Sequence, residues 1–106
     1  MWRMLLYNVT IAIDKIVEAE WLIWMRDNHI PAVLATGYFT TDYKMYKVLH
    51  DQGEDTTSYS VQFFAATIED ILAYLDKAAP AIMEALRVAF KNRHVVFQTL
   101  LEEVQA

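Results

Sequence analysis

The chain has no cysteine, only two glycines and two prolines, and no uncharged apolar run of the ~18 residues that a membrane span needs. Without cysteine there is no disulfide framework, no thiolate zinc site and no Cys nucleophile. Two glycines leave no glycine-rich phosphate loop and no P-loop. Positive charge is also scarce: 9 Lys and Arg stand against 14 Asp and Glu, a net charge of −5. Nucleic acids and anionic membranes call for a basic patch, so neither is an expected partner. The apolar start "MWRMLLYNVTIAI" is broken by Asn8 and Thr10, and no small-residue cleavage site follows. It reads as a strand rather than a signal peptide. The expected location is a reducing cytoplasm.

What is present is a globular composition, 56% hydrophobic and 22% charged over 106 residues. That length suits a single domain, 1–106, with room for one core. Residues 3–13 alternate, with Leu5, Tyr7, Val9, Ile11 and Ile13 on one side and Leu6, Asn8 and Thr10 on the other, the period of a strand. Asp14 supplies a cap oxygen for a helix from Lys15, whose wheel gathers Val17, Trp21, Leu22, Trp24 and Met25, then Asn28 and His29. Ile30 precedes Pro31 and is expected to leave helical geometry; Pro31 restarts a helical turn that Gly37 stops.

Residues 38–50 and 56–66 are rich in Tyr, Thr, Val and Phe and read as strands, joined by "DQGED" as a hairpin loop. Thr67 with Asp70 is a capping box for one long helix, bent at Pro80, with a stripe including Ile68, Ile71, Leu72, Leu75, Ala79, Ile82, Leu86, Ala89 and Phe90. Residues 94–104 form the last strand. The order is βαββαβ, an α+β, ferredoxin-like arrangement: a four-stranded antiparallel sheet with two helices on one face.

The open sheet face is expected to carry Leu6, Asn8, Thr10, Ser58, Ser60, Gln62, Phe64, Gln98 and Leu100. Three fates suit such a face. RNA binding wants glycine and basic residues in the third strand, where "TSYSVQFF" has none. An effector-sensing module of the ACT type wants a glycine-bearing loop after the first strand, which "IAIDKIVEA" lacks. A mixture of polar residues with Leu and Phe fits sheet-on-sheet pairing into a homodimeric α+β barrel.

The segments "YNVTIAID", "EWLIWMRDNHIPAVLATGYF", "YSVQF" and "FQTLLE" resemble the bacterial domain-of-unknown-function family 4286 across nearly the whole chain. The resemblance implies a ferredoxin-like protomer of dimeric α+β barrel type and brings no activity with it. The helix followed by His-x-Pro and then Gly is also similar to dimeric α+β barrel proteins, among them cofactor-free monooxygenases and small isomerases. In those the pocket lies between sheet and helices.

His29 is the candidate catalytic residue. A neutral imidazole on an apolar stripe can act as a general base or orient a ligand oxygen, and it can equally cap the carbonyls at a helix end. Trp21, Trp24 and Met25 can wall a pocket for an apolar ligand or simply fill a small core. Tyr38 and Tyr43 offer phenols beside that stripe, although Tyr is also a good strand residue. The three histidines, 29, 50 and 94, fall at opposite poles of the sheet, and no H-x-x-H pair exists, so neither a metal nor another cofactor is expected. Three functions follow as expectations. The first is a homodimer binding a small, largely apolar ligand between helices and sheet. The second is a cofactor-free oxygenase or isomerase with His29 as base, and the third a non-catalytic interaction module.

Overall fold

The computed structural model describes residues 4–50 and 53–105. Strand β1 (Leu5–Asp14) lies in the middle of a four-stranded antiparallel sheet ordered β2 (Tyr43–Lys47), β3 (Thr56–Ala65), β1, β4 (His94–Glu102). Val9 stands opposite Val61 on β3, so the apolar phases of the two strands coincide. Tyr7, Val9, Ile11, Ile13, Val61 and Phe63 are fully buried beneath the helices. Each such burial is worth about 1.5–3 kcal/mol, which makes this face the anchor of the fold.

The first crossover is helical from Lys15 to Ala35, though not uniformly. A 3-10 turn (Lys15–Val17), capped by Asp14 through the Ile16 amide at 2.9 Å, leads into α1 (Glu18–Trp24). A π turn (Met25–His29) joins α1 to α2 (Ile30–Ala35). The expected departure of Ile30 from helical geometry does not occur: Ile30 has φ −62° and ψ −47°. Pro31 has no amide hydrogen, and its ring crowds the carbonyl four residues back. The wider turn, in which the Ile30 amide donates to the Met25 carbonyl five residues back, accommodates it without breaking the helix. The extra residue in that turn also carries Asn28 off the apolar stripe into solvent and leaves His29 buried. Leu22, expected inside, is 37% exposed. Gly37 does stop the helix, at φ +81°, a conformation that favours glycine.

The strand expected over 38–50 shortens to Tyr43–Lys47. Phe39 turns into the core, with ring centres 5.8 Å from Tyr7, 5.6 Å from Phe63 and 4.9 Å from Tyr74. That contact bends the chain before the strand begins and leaves Tyr38 outside the ladder. Of the loop expected at "DQGED", Asp51 and Gln52 lie outside the described residues.

The single helix expected after Thr67 is two helices, α3 (Ile68–Lys77) and α4 (Ala79–Ala89), parted at Ala78 with φ −117°. Pro80 explains the break, because its ring conflicts with the Asp76 carbonyl and a proline fits the first turn of a new helix. Thr67 caps α3 through the Asp70 amide at 3.2 Å. Ile71, Tyr74, Ala79 and Leu86 keep the buried phase across the break, while Ile68, Leu72 and Ala89 are exposed.

The phase of β4 is the other correction. Gln98 and Leu100 stand opposite Val9 and Tyr7 and therefore point to the helix side. Val95, Phe97, Thr99 and Leu101 stand opposite Ala12, Thr10, Asn8 and Leu6 on the open face. A slip of one residue exchanges the two faces of a strand. The open face is consequently more apolar than the sequence pattern suggests.

Candidate functional site

The π turn gives His29 its position. At 2% exposure it is buried between α1 and α2, and neither Nδ1 nor Nε2 has a hydrogen-bond partner in the protein. It therefore caps no carbonyl, the structural role the sequence offers it. Burial drives the His29 pKa down from 6.5 to about 4, because a charged imidazolium would lose its hydration. At neutral pH the ring is uncharged, with one N–H and one lone pair. Leaving such a buried group unmatched costs about 1–3 kcal/mol. Beside it stands Trp24, with ring centres 6.1 Å apart, and Trp24 in turn meets the Phe90 ring edge-on at 5.5 Å.

Trp24, Asn28, His29 and Ala32 form one side of a groove of about 730 Å³ between the first helical run and α4. Ala81, Ile82, Glu84, Ala85, Val88 and Ala89 of α4 form the other. Its volume lies in the range of small-molecule sites. The α4 wall leaves a trace in the sequence: Ala81, Ala85 and Val88 recur at helical spacing on the side away from the core stripe. Glu84 is held by Arg87 through two contacts of 2.6 and 2.8 Å.

The remaining candidates fall elsewhere. Trp21 and Met25 are fully buried in the core, where the Trp21 ring lies 5.0 Å from Tyr59. The Tyr59 hydroxyl donates to the Glu18 carboxylate, which also accepts from Thr57 at 3.2 Å. Tyr38 is half-buried. Tyr43 is 41% exposed on edge strand β2, its ring 6.5 Å from Phe63. Of the six residues expected at a ligand site, only Trp24 and His29 line this groove. The Trp21 Nε1 and the hydroxyls of Tyr7 and Tyr74 are further buried polar atoms without a protein partner. Among the described residues, no three His, Asp or Glu side chains gather as metal ligands.

The open sheet face has its own chemistry. The Asn8 amide donates to Thr10 Oγ1 at 3.0 Å and accepts from Ser60 Oγ at 2.5 Å; Gln62 donates to Ser60 at 3.4 Å. These bonds link the polar residues of the face to one another within the sheet. Around them Val95, Phe97, Leu101 and Tyr46 are exposed by 69, 59, 44 and 50%.

Sheet order, antiparallel pairing and helices on one face define a ferredoxin-like α+β protein. The chain belongs to the family described as a domain of unknown function, DUF4286, whose model matches residues 4–104. No curated protein matches it in sequence. Among solved structures it is similar to an EthD (ethyl tert-butyl ether) family protein of Bacillus halodurans C-125, with a TM-score of 0.71 at 10% identity, covering 94% of this chain and 99% of that one. It is also similar to a dimeric ferredoxin-like protein from an uncultured marine organism (TM-score 0.62, 10% identity, 100% and 99% covered). A third is a variant of SnoaB, a cofactor-independent oxygenase from Streptomyces nogalater (TM-score 0.65, 12% identity, 96% and 95% covered). At these identities the likeness is one of fold. Among the described residues no helix is long and apolar enough to cross a membrane.

Proposed function

We propose that this protein is a homodimer joined through its open sheet faces and that each protomer binds a small, largely apolar molecule at the helix layer beside His29. The observation that carries the pairing is the set of exposed apolar residues, Val95, Phe97, Leu101 and Tyr46, around polar side chains that bond to one another within the sheet. Four strands at ordinary spacing span roughly 19 Å, and the long strands run roughly 30 Å. A footprint of roughly 600 Å², enlarged by side-chain relief, approaches the ~800 Å² per partner of a standard interface. A second copy fits this face because an isologous contact lets each apolar rim meet the other and each polar ladder stay in register with its twin. A structural relative described as dimeric supports the same reading.

Ligand binding is favoured over catalysis by the state of His29. Its depressed pKa makes it a weak base, and no carboxylate or carbonyl fixes its tautomer. Sedimentation velocity at micromolar concentration tests the pairing. A single species of twice the chain mass is expected, and a monomer alone at these concentrations overturns the reading.

A further inference from the structure

The two edges of the sheet are built differently. β2 is five residues long and carries Lys44 and Lys47, a short, charged build that keeps an edge from pairing. β4 runs for nine residues, pairs with β1 from His94 to Glu102 without a bulge, and holds no proline, lysine or arginine. Among the described residues no strand lies along its other side. Val95 and Phe97 on one face and Gln98 and Leu100 on the other are exposed, so both faces of the strand are bare as well. Such an edge is a template for a further strand.

Its own sequence supplies one. An antiparallel copy of β4, with the two-fold axis at Gln98, sets Val95 against Leu101 of the second copy and Val96 against Leu100 of the second copy. The same register brings Arg93 opposite Glu103 at both ends. Arg93 gives one nitrogen to Asp14 at 2.9 Å and remains half exposed, with donors to spare. An axis at Thr99 would set Val95 and Val96 against Glu103 and Glu102, and one at Phe97 would set Leu101 against Arg93. Apolar pairs and opposite charges directly across a ladder stabilise it, so the Gln98 register is the one selected.

We propose that β4 pairs edge to edge with β4 of a second copy, antiparallel about Gln98, joining two sheets of four strands into one of eight. The axis is perpendicular to the sheet, so the helices of both copies stay on one side and both open faces remain free. The contact is therefore separate from the open-face pairing and does not rest on it. A single strand pair covers less than the ~800 Å² per partner of a standard interface, which places this contact among the weak ones.

The chain has no cysteine, so single introduced cysteines report the contact directly. Gln98 and Glu102 are exposed and point to the helix side, away from an open-face partner. In the proposed register the two copies of residue 98 stand about 4.5–5.5 Å apart at Cα, within disulfide reach, and the two copies of residue 102 about 27 Å apart. Under mild oxidation at several hundred micromolar, Gln98→Cys should form linked pairs at least about tenfold faster than Glu102→Cys. Equal rates overturn the proposal. Sedimentation equilibrium over the same range should show the wild-type mass rising past two chains toward four, while Gln98→Lys, which sets like charges across the axis, stays at two. A mass fixed at two chains, or a rise that survives Gln98→Lys, overturns the edge contact and leaves the open-face reading standing. A mass fixed at one chain overturns both. A rise from one chain to two that Gln98→Lys abolishes supports the edge contact and overturns the open-face reading.

Discussion

The Trp24 and His29 rings lie 6.1 Å apart across the π turn, and the imidazole finds no hydrogen-bond partner in the protein. Stability should therefore depend on His29 ionisation. The unfolded imidazole titrates near 6.5 and the native one near 4. Above pH 6.5 both states hold it neutral, and the native preference for that form is fully expressed. As pH falls from 6.5 toward 4 the unfolded chain takes up the proton first, and stability drops by up to about 3 kcal/mol. Denaturant melts at pH 7 and pH 4.5 should show the wild type losing about 2–3 kcal/mol more than His29→Leu. Equal losses in the two proteins would contradict the assignment.

Tyr7 gives the alkaline counterpart. Burial raises its pKa from 10.0 to about 12, and its hydroxyl has no protein partner. Tyr59 is also raised to about 12, by burial and then by its hydrogen bond to Glu18. Below pH 10 the protonated phenols are common to both states and stability is unaffected. Between pH 10 and 12 the unfolded chain ionises first, so stability is lost over that window. Tyr7→Phe should be neutral or stabilising by up to about 1 kcal/mol at pH 7, since it removes an unmatched buried hydroxyl, and should flatten part of the alkaline loss. A cost above about 2 kcal/mol at pH 7 would show that the hydroxyl has a native partner.

Gly37 isolates a backbone effect. A Cβ added there meets nothing within 4 Å, yet φ is +81°. Gly37→Ala should cost about 1–2 kcal/mol through left-handed strain alone, and Gly37→Asn less. Urea midpoints should fall in the order Gly, Asn, Ala. A neutral Ala variant would mean that the helix can end another way.

How far each element is legible in the sequence follows the strength of its local signal. From Tyr7 to Ile11 in β1 and from Ser58 to Phe63 in β3 apolar and polar residues alternate without interruption, so the alternation alone assigns the buried face. In β4 the adjacent apolar residues Val95, Val96 and Phe97, then Leu100 and Leu101, satisfy either phase. Only the pairing of Thr10 with Phe97 decides between them, and that is a long-range fact. Pro31 and Pro80 mark the right neighbourhoods, but how each is accommodated depends on packing: a π turn at one and a two-residue-early break at the other. Phe39 leaves the expected strand because three aromatic neighbours from distant segments draw it inward. At the site, the helical wheel puts Trp24 and His29 together correctly. It misses the α4 wall because alanines on a second helix face read as surface until another helix is seen beside them.

The proposed pairing depends on the open face of the sheet, and Phe97 is its most direct probe. The ring is 59% exposed in the protomer, so Phe97→Asp should leave the monomer folded while placing a charge in the proposed interface. Ile23→Asp, at a position 53% exposed on α1, is the matched control. Sedimentation equilibrium should show the dimer dissociation constant of Phe97→Asp weakened by about 100-fold or more, with Ile23→Asp indistinguishable from the wild type. A folded Phe97→Asp protein that dimerises as tightly as the wild type would contradict pairing through this face.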